Sequence, residues 1–372
     1  MPKSAPVDWF LVSSLFLLTG AGLVTMYSCL GESYYFNRQI IWVAAGFAIF
    51  LAAGLVDWRF LRRSGILIGL YLGAICLLLL LSVVGSTVRG AKSWFELGGF
   101  SLQPVDFVKI FLIFVLAKYF SRRHIAIASS RHVIISGLYA ALPFFLVLFQ
   151  PDFGSAVIIL SIWLGLALAA GISKKHLLLL AAAGLLGACS LWFFAFTPIQ
   201  KARITSFLNP LADQRGAGYN AFQSMVAVGS GQLVGKGVCY GTQSRLLFLP
   251  EYQTDFIFAA FAEEWGLLGV LFIFISFGYI FYYILRAAYV AESNFESLYS
   301  LGVAIFLGAQ ITIHIGMNIG LLPVTGLPLP FVSYGGSHIL AEFLALGILS
   351  GMRRYERAAH RESAQQEFFS LS

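Results

Sequence analysis

Charged side chains are scarce in this chain of 372 residues, since Asp, Glu, Lys and Arg together make up only 11% of it. An ordinary soluble domain contains about a quarter. Hydrophobic residues account for 59% of the chain, and the mean hydropathy is +0.83. This balance excludes an ordinary soluble protein and predicts one that crosses a membrane several times.

Cysteine and the familiar chemical motifs are also rare. The four cysteines, Cys29, Cys76, Cys189 and Cys239, do not have the spacing of metal ligands. Because Cys76 and Cys189 fall inside apolar runs, we expect no disulfide framework. The sequence has no P-loop, no Gly-x-Ser-x-Gly elbow and no dinucleotide fingerprint. Candidate chemistry must therefore be sought among other polar residues.

Apolar runs of the length needed to cross about 30 Å of hydrocarbon recur along the chain. We predict an all-α polytopic membrane protein with about ten transmembrane helices, which form one domain over residues 1–372. The predicted spans are Trp9–Tyr27, Ile40–Val56, Ile66–Val84, Val105–Phe120, Val133–Phe149, Ser155–Gly171, Leu177–Phe196, Phe256–Leu285, Leu298–Gly316 and His338–Met352. A long loop, residues 197–254, separates spans 7 and 8, and residues 353–372 form a tail.

The basic residues predict the orientation, because positively charged loops stay on the cytoplasmic side. One side collects most of the Lys and Arg residues, whereas the short loops of the other side hold only Arg38, Arg89 and Lys92. We therefore predict that both termini are cytoplasmic, and that the first span is retained rather than removed as a signal peptide. The net charge of +7 lies in juxtamembrane clusters, which favours anionic membrane lipid over nucleic acid as a partner.

Three loops on the predicted outer side have the composition of structured segments. Residues 85–104 mix aromatic with charged side chains, and residues 320–338 contain three prolines and four glycines, so they cannot form a regular helix. In the long loop we expect a short interfacial helix over Tyr219–Val228, followed by a glycine-rich, partly inserted segment. Three such loops on one side indicate a shared outward-facing site.

The stretch FLPEYQTDFIFAAFAEEWG, Phe248–Gly266, holds four carboxylates at the approach to a predicted span. We predict that Thr254 caps the eighth span and that Asp255 lies in its first turn. Asp255 is then either a structural acid at a helix N-terminus or a general base. We favour the base, because ionisable groups near the membrane core are costly and usually functional.

The other acids of this stretch have open roles. Glu251 is a candidate for binding substrate, and it shares a helical face with Asp255 only if the helix begins by residue 251, which Pro250 permits. Glu263 and Glu264 lie about 80° and 180° from Asp255 on an ideal helical wheel, so they cannot both join its site. For each of these two glutamates we expect a structural ion pair or hydrogen bond.

Several residues are candidates for binding an anionic substrate. Asp106 and Lys109 have the spacing of an intrahelical pair, which is either purely structural or presents Lys109 to a phosphate. Among the outer-loop cations we single out Arg245 and Lys236, because they flank the acidic motif and phosphates need converging cations. We include Asp152, since its QPD sequence echoes the QPVD around Asp106. These residues fit either an enzyme acting on a lipid-linked anionic substrate or a transporter of one.

Two long motifs, GTQSRLLFLPEYQTDFIFAAFAEEWGLLG (Gly241–Gly269) and GLLPVTGLPLPFVSYGGS (Gly320–Ser337), resemble the SEDS family of bacterial cell-wall polymerases, which includes RodA, FtsW and SpoVE. The resemblance covers essentially the whole chain and also includes QPxxFxK at Gln103–Lys109 and QPDFGSA at Gln150–Ala156. The GTQS and VTGLPLPF stretches are most similar to RodA, the elongation member of the family.

The resemblance implies a peptidoglycan glycosyltransferase that polymerises lipid II at the outer face of the bacterial cytoplasmic membrane, with a class B penicillin-binding protein as partner. It implies that Asp255, in the TDF motif, is the essential residue and acts as general base. Arg245, Lys109 or a divalent cation, Mg²⁺ or Mn²⁺, would stabilise the pyrophosphate leaving group. The alternatives are a flippase for the lipid-linked precursor and a non-catalytic scaffold for the penicillin-binding protein.

Four positions depart from the usual family pattern. Asp106 stands where glutamate is common, and Leu247 falls where many relatives have an acid. Gln253 replaces a frequent histidine and His338 a frequent serine. We expect these differences to affect details of the site and not the assignment.

Overall fold

The computed structural model describes residues 8–31, 33–62, 64–88, 91–97, 100–122, 130–196, 198–208 and 217–370, and most of them are helical. The helices are α1 (Trp9–Leu30), α2 (Tyr34–Leu55), α3 (Ser64–Val84), α4 (Pro104–Ser121), α5 (Ser130–Phe149), α6 (Phe153–Ala169), α7 (Lys174–Ser190), α8 (Pro198–Leu208), α9 (Ala217–Ser230), α10 (Thr242–Arg245), α11 (Ile257–Val290), α12 (Asn294–Asn318) and α13 (Gly336–Ser370). A 3₁₀ helix, Trp58–Arg62, follows α2, and a π-helical turn, Leu191–Ala195, follows α7.

Each predicted span coincides with one long helix, so the all-α polytopic architecture is confirmed. Within the described residues, 7 helices are long and apolar enough to cross a membrane, and Phe153–Ala169 is a shorter apolar helix. The last predicted span and residues 353–370 of the predicted tail form one continuous helix, α13. The count of ten crossings and the cytoplasmic position of the termini stay predictions.

The polar residues of α4 lie in the interior of the helix bundle. This helix packs against α3, α6 and α12, and buries Asp106 and Lys109 together with most of its apolar side chains. Helix α13 packs along α2, where a Cβ on Gly46 would lie 2.5 Å from the Phe343 ring. Small residues permit this close approach of two helices. The bundle therefore surrounds α4 and brings the beginning of α13 close to it.

The loop between α3 and α4 forms a small antiparallel sheet that the sequence did not predict. Its strands are β1 (Ser86–Val88), β2 (Ala91–Leu97) and β3 (Phe100–Leu102), in the order β1-β2-β3. Ser86 pairs with Trp94, and Phe95 pairs with Leu102. Strands β1 and β3 have three residues each, which is too short to show an alternating pattern in the sequence.

Helix α11 is interrupted near its beginning by a glycine-rich segment. Gly266 has φ 62° and ψ −164°, which are not helical, so neighbouring backbone groups need other partners. Four backbone hydrogen bonds supply them. The amides of Lys236 and Gly237 donate to the carbonyls of Glu263 and Glu264, respectively. The amides of Leu267 and Leu268 donate to the carbonyls of Gln232 and Leu233, respectively. A side chain at Gly235 would overlap the Glu264 carbonyl, so this close approach requires glycine.

The helix predicted over Tyr219–Val228 is confirmed as α9, Ala217–Ser230. The glycine-rich segment that follows it packs against α11 through the backbone bonds just described. Its insertion into the bilayer stays a prediction. The part of α11 before Gly266 is thus fixed by the preceding loop, which places the acidic stretch in a defined position.

Candidate functional site

Asp255 lies in a turn that precedes α11. Residues 251–256 form turns, and Phe256 is the N-cap of the helix, without a side-chain capping bond. The prediction that Thr254 caps the helix and that Asp255 lies in its first turn is therefore wrong. The reason is local, because the Thr254 hydroxyl donates back to the Glu251 carboxylate at 3.2 Å, a bond that competes with capping.

Glu251 does not share a helical face with Asp255, because the helix begins beyond both residues. Its φ of 52° reverses the chain direction, a conformation that is uncommon without glycine. The Glu251 carbonyl accepts from the amides of Thr254 at 3.1 Å and Phe256 at 3.2 Å. Glu251 therefore shapes the turn that presents Asp255, and its contact with substrate stays a prediction.

Asn318, at the end of α12, holds the backbone of this turn. The side chain is fully buried, its Nδ2 donates to the Asp255 carbonyl at 3.1 Å, and its Oδ1 accepts from the Ala259 amide at 3.3 Å. The Ser224 hydroxyl of α9 donates to the same Oδ1 at 3.2 Å. One amide side chain thus connects α9, α12 and the beginning of α11. The sequence signal we missed is the polar residue within the apolar run HIGMNIG.

Residues 319–335, between α12 and α13, form a loop that we call the Pro-rich loop. The prediction that residues 320–338 are not regular helix is confirmed up to residue 335, whereas Gly336–His338 begin α13. The Ser333 hydroxyl donates to the Thr254 carbonyl at 2.8 Å, and the Tyr334 amide donates to the Gln253 carbonyl at 2.8 Å. A Cβ on Gly326 would lie 3.6 Å from the Asp255 Oδ2. The half-buried Asp255 carboxylate therefore lies beside this loop.

Glu263 is fully buried, and hydrogen-bond donors enclose its carboxylate. The Lys236 ammonium forms an ion pair with it at 2.8 Å. The Thr242 hydroxyl and the amides of Gln243 and Ser244 donate to the same carboxylate at 3.0 to 3.2 Å. These three donors belong to the GTQS motif at the beginning of α10. The predicted structural role of Glu263 is confirmed, and the motif is explained by its contact with this acid.

The predicted phosphate ligands Lys236 and Arg245 both have protein partners. Lys236 is paired with Glu263, so its charge is already balanced. Arg245 is exposed, and its Nη1 donates to the Cys239 carbonyl at 3.1 Å. The amide of Cys239 donates to the Glu264 carboxylate at 3.3 Å, which gives Glu264 its structural hydrogen bond. Arg245 is therefore the better placed of the two cations to contact a ligand.

Asp106 and Lys109 form the predicted intrahelical pair. Their side chains lie 3.0 Å apart and are only 3% and 1% exposed. The Ser337 hydroxyl of α13 donates to the second Asp106 oxygen at 3.4 Å and accepts from the Gln103 amide at 3.1 Å. The pair therefore lies inside the protein against the beginning of α13, where the Pro-rich loop ends.

Asp152 is the N-cap of α6. Its carboxylate accepts from the Ser155 amide at 3.0 Å and from the Gln103 side chain at 3.0 Å. A Cβ on the adjacent Gly154 would lie 3.3 Å from the Thr325 carbonyl, so the beginning of α6 also contacts the Pro-rich loop. The contacts of this loop thus reach Asp255 and the beginning of α6, and Ser337 just beyond the loop contacts Asp106. Lys236, in contrast, lies with Glu263.

A cavity opens between α8, α9 and the Pro-rich loop. Its lining includes Arg203 of α8, Met225 of α9 and Val324 of the loop, and most of it is apolar. Val324 also packs against the apolar cluster that contains Tyr252 and Phe256. The cavity therefore adjoins the turn that carries Asp255, and one guanidinium is available at its wall.

Within the described residues, the structure has no group of three or more His, Cys, Asp or Glu side chains that could hold a metal ion. Proteins commonly bind Mg²⁺ through one or two carboxylates together with substrate phosphates, and such a site has no all-protein cage. The divalent cation that the resemblance implies stays a prediction.

The fold and the site define a class of protein, a multi-pass membrane protein with an acidic turn fixed beside a Pro-rich loop. The family model described as "Cell cycle protein", which covers FtsW, RodA and SpoVE, matches residues 6–358. Stage V sporulation protein E of Bacillus subtilis (strain 168) is 35% identical over 370 residues, 95% of this chain and 99% of the relative. The probable peptidoglycan glycosyltransferase FtsW of Thioalkalivibrio sp. (strain K90mix) is 36% identical over 384 residues, 95% of this chain and 90% of the relative.

Solved structures share the fold. The rod shape determining protein RodA of Thermus thermophilus has a TM-score of 0.70 at 27% identity, covering 94% of this chain and 97% of that one. A chain from a peptidoglycan synthase complex that coordinates polymerization and crosslinking has a TM-score of 0.80 at 29% identity, covering 94% and 98%. This protein belongs to the SEDS family. The more specific likeness to RodA stays a prediction, because relatives named SpoVE and FtsW match along nearly the whole chain.

Proposed function

We propose that this protein is a peptidoglycan glycosyltransferase that polymerises lipid II at the outer face of the cytoplasmic membrane, with Asp255 as general base. Family membership and relatives named as peptidoglycan glycosyltransferases support the reaction. The observation that carries the choice of residue is the position of Asp255, half-buried in a turn beside the Pro-rich loop. Glu263 and Asp106 are more deeply buried, at 0% and 2% exposed, so a substrate hydroxyl reaches Asp255 more readily.

In the proposed reaction, the Asp255 carboxylate takes the proton of the acceptor sugar's 4-hydroxyl as that oxygen attacks the donor's anomeric carbon. The bond from that carbon to the pyrophosphate oxygen breaks, and undecaprenyl pyrophosphate leaves with the bonding electrons, so the configuration inverts. The bonds from Asn318 and Ser333 fix the turn backbone, which keeps the base oriented before reaction. A general base contributes typically about 10²–10⁴-fold.

The leaving pyrophosphate needs nearby positive charge. We assign this role first to Arg245, because its exposed guanidinium is planar and suits bidentate contact with phosphate. Arg203, at the wall of the cavity beside the Asp255 turn, offers a second guanidinium. Lys109 and Lys236 are each paired with a buried carboxylate, so we assign them to balancing those charges.

We further propose a role in cell-wall elongation with a class B penicillin-binding protein as partner. The RodA-like GTQS and VTGLPLPF stretches support the elongation role. Structural similarity to a chain of a peptidoglycan synthase complex supports the partner, because that complex coordinates polymerization with crosslinking.

Polymerisation of purified lipid II, resolved by chain length on a gel, tests the proposal. Wild type and Asp255→Asn are compared with and without the cognate class B partner. We expect long glycan strands from wild type and about 10²–10⁴-fold less from the amide variant, with the same unfolding temperature for both proteins.

Two outcomes would contradict the proposal. If folded wild type makes no polymer with its partner present, the enzyme is rejected, and lipid II movement across vesicles then tests the flippase. If Asp255→Asn polymerises as fast as wild type, Asp255 is rejected as the base.

A further inference from the structure

A cluster of four ionisable side chains is buried where α13 meets α4. It contains Asp106 and Lys109 of α4 and His338 and Glu342 of α13, each with a side-chain exposure of 4% or less. The His338 Nε2 lies 2.8 Å from the Glu342 Oε1, and its Nδ1 lies 3.9 Å from the Asp106 Oδ1. The imidazole of His338 therefore lies between two buried carboxylates.

When both carboxylates are ionised, the charges of this cluster balance if His338 is protonated. Lys109 offsets one of the two carboxylates, so a neutral imidazole would leave one negative charge in excess. An unbalanced charge away from water is costly, and an imidazolium brings the sum to zero. His314 of α12 also faces His338, and its Nδ1 lies 2.7 Å from the Leu327 carbonyl.

The second oxygen of Glu342 holds the Pro-rich loop. The Phe331 amide donates to the Glu342 Oε2 at 2.9 Å. Phe331 has φ 62° and is buried, a backbone conformation that bulky residues adopt only where the surroundings enforce it. Glu342 therefore fixes a turn of the loop that would otherwise relax.

A short chain of hydrogen bonds connects this turn to Asp255. The buried Ser333 hydroxyl accepts from the Leu329 amide at 2.8 Å and donates to the Thr254 carbonyl at 2.8 Å. Thr254 directly precedes Asp255, and the peptide bond between them is rigid. Displacement of the Phe331 turn is thus transmitted to the residue that bears the carboxylate.

We infer that protonated His338 and Glu342 form a positioning pair that holds Asp255 in its reactive orientation through the Pro-rich loop. The catalytic part of this inference rests on the proposed function. The mechanical part, the link from Glu342 to the Asp255 turn, does not depend on it.

Hydrogen exchange measures the mechanical link without any activity. Glu342→Leu removes the acceptor of the Phe331 amide, and we expect faster exchange both in residues 319–335 and in residues 251–256. Glu296→Leu is the matched control, because Glu296 is another buried glutamate, paired with Arg62 away from the loop. Faster exchange in 319–335 with no change in 251–256 would overturn the link.

Lipid II turnover measures the catalytic part, in the assay that already contains wild type and Asp255→Asn. His338→Gln and Glu342→Gln each leave an unbalanced charge, so we expect about tenfold lower kcat with unchanged KM, within the coupling range of residues in one network. The double variant H338Q/E342Q removes both charges and keeps an oxygen for the Phe331 amide. We expect its kcat to return to within about twofold of wild type.

The rescue in H338Q/E342Q separates positioning from a merely structural role. Additive losses in the double variant, or a raised KM in the single variants, would overturn the inference. Wild type without polymer would reject the proposed function alone, since the exchange experiment still decides the mechanical link.

Discussion

Asp255 and Glu263 belong to one acidic stretch, yet the protein holds them in different ways. The turn of Asp255 is fixed through its backbone, because Asn318 donates to the Asp255 carbonyl and Ser333 donates to the Thr254 carbonyl. Glu263 is fixed through its carboxylate, which is fully buried and accepts from Lys236 and the beginning of α10. The printed contacts of the first arrangement are made by backbone carbonyls of the turn, whereas those of the second are made by the carboxylate itself.

This difference teaches how an apolar chain can keep several acids near the membrane. A carboxylate that is enclosed by donors stabilises a loop and is a poor acceptor for a substrate proton. A carboxylate that lies in a turn fixed by other groups can serve as a base. The comparison is therefore tested by asking which acids, when neutralised, change stability and which change turnover.

The largest expected effect on stability comes from Lys109. The Lys109→Met variant leaves the buried Asp106 without its cation, so we expect a loss of about 3–5 kcal/mol in the free energy of unfolding. The double variant D106N/K109M is the control and should recover most of that loss. Unfolding of the detergent-solubilised proteins by denaturant measures both, and equal stability of the single and double variants would contradict this account.

Neutralising Glu263 should have a smaller effect on stability. The Glu263→Gln variant weakens hydrogen bonds to a charged acceptor, so we expect a loss of about 1.5–3 kcal/mol. The folded fraction should keep most of its turnover, because Glu263 serves the loop. Denaturant unfolding and lipid II turnover are measured on the same preparation, and lost turnover at unchanged stability would break the comparison.

The smallest effect is expected for Asp57, next to the 3₁₀ helix. A hydrogen bond from Arg59 holds the pKa of this carboxyl below its usual range, but the two side chains are 36% and 53% exposed. Because this pKa is lower in the folded than in the unfolded protein, the ionised carboxyl stabilises the fold at pH values above the unfolded-state pKa. This stabilisation is lost as the pH falls through the folded-state pKa. Exposed pairs contribute about 0–1 kcal/mol.

The Asp57→Asn variant measures this contribution. Its difference in unfolding free energy from wild type should be below about 1 kcal/mol at neutral pH and should vanish in acid. If Asp57→Asn lowered the free energy of unfolding as much as Lys109→Met does, solvent exposure would not explain why the two ion pairs differ in their contribution to stability.

Features that depend on neighbours in the sequence were predicted well. The spans follow from the apolar runs, and the Asp106–Lys109 pair follows from spacing on one helix. The identity of Asp255 as the base came from the resemblance and its place in the acidic stretch, and it stays a prediction. Local features can therefore be read from the sequence when one regular element contains them.

Features that depend on distant residues were missed. One local feature was also missed, because the positive φ at Glu251 and the bond from the Thr254 hydroxyl to the Glu251 carboxylate displace the predicted Thr254 cap. The contact of Glu263 with the GTQS motif and that of Asn318 with Asp255 join separate elements. Such contacts are set by packing of the bundle, which a single sequence does not encode in its spacing.

Lipid II turnover of Asp255→Asn and Glu263→Gln, each normalised to the folded fraction, tests the central claim most directly. The account predicts that Asp255→Asn loses about 10²–10⁴-fold in turnover at wild-type stability, and that Glu263→Gln loses stability and keeps its turnover. The reverse pattern, with Asp255→Asn active and Glu263→Gln folded but inactive, would contradict the assignment of the base.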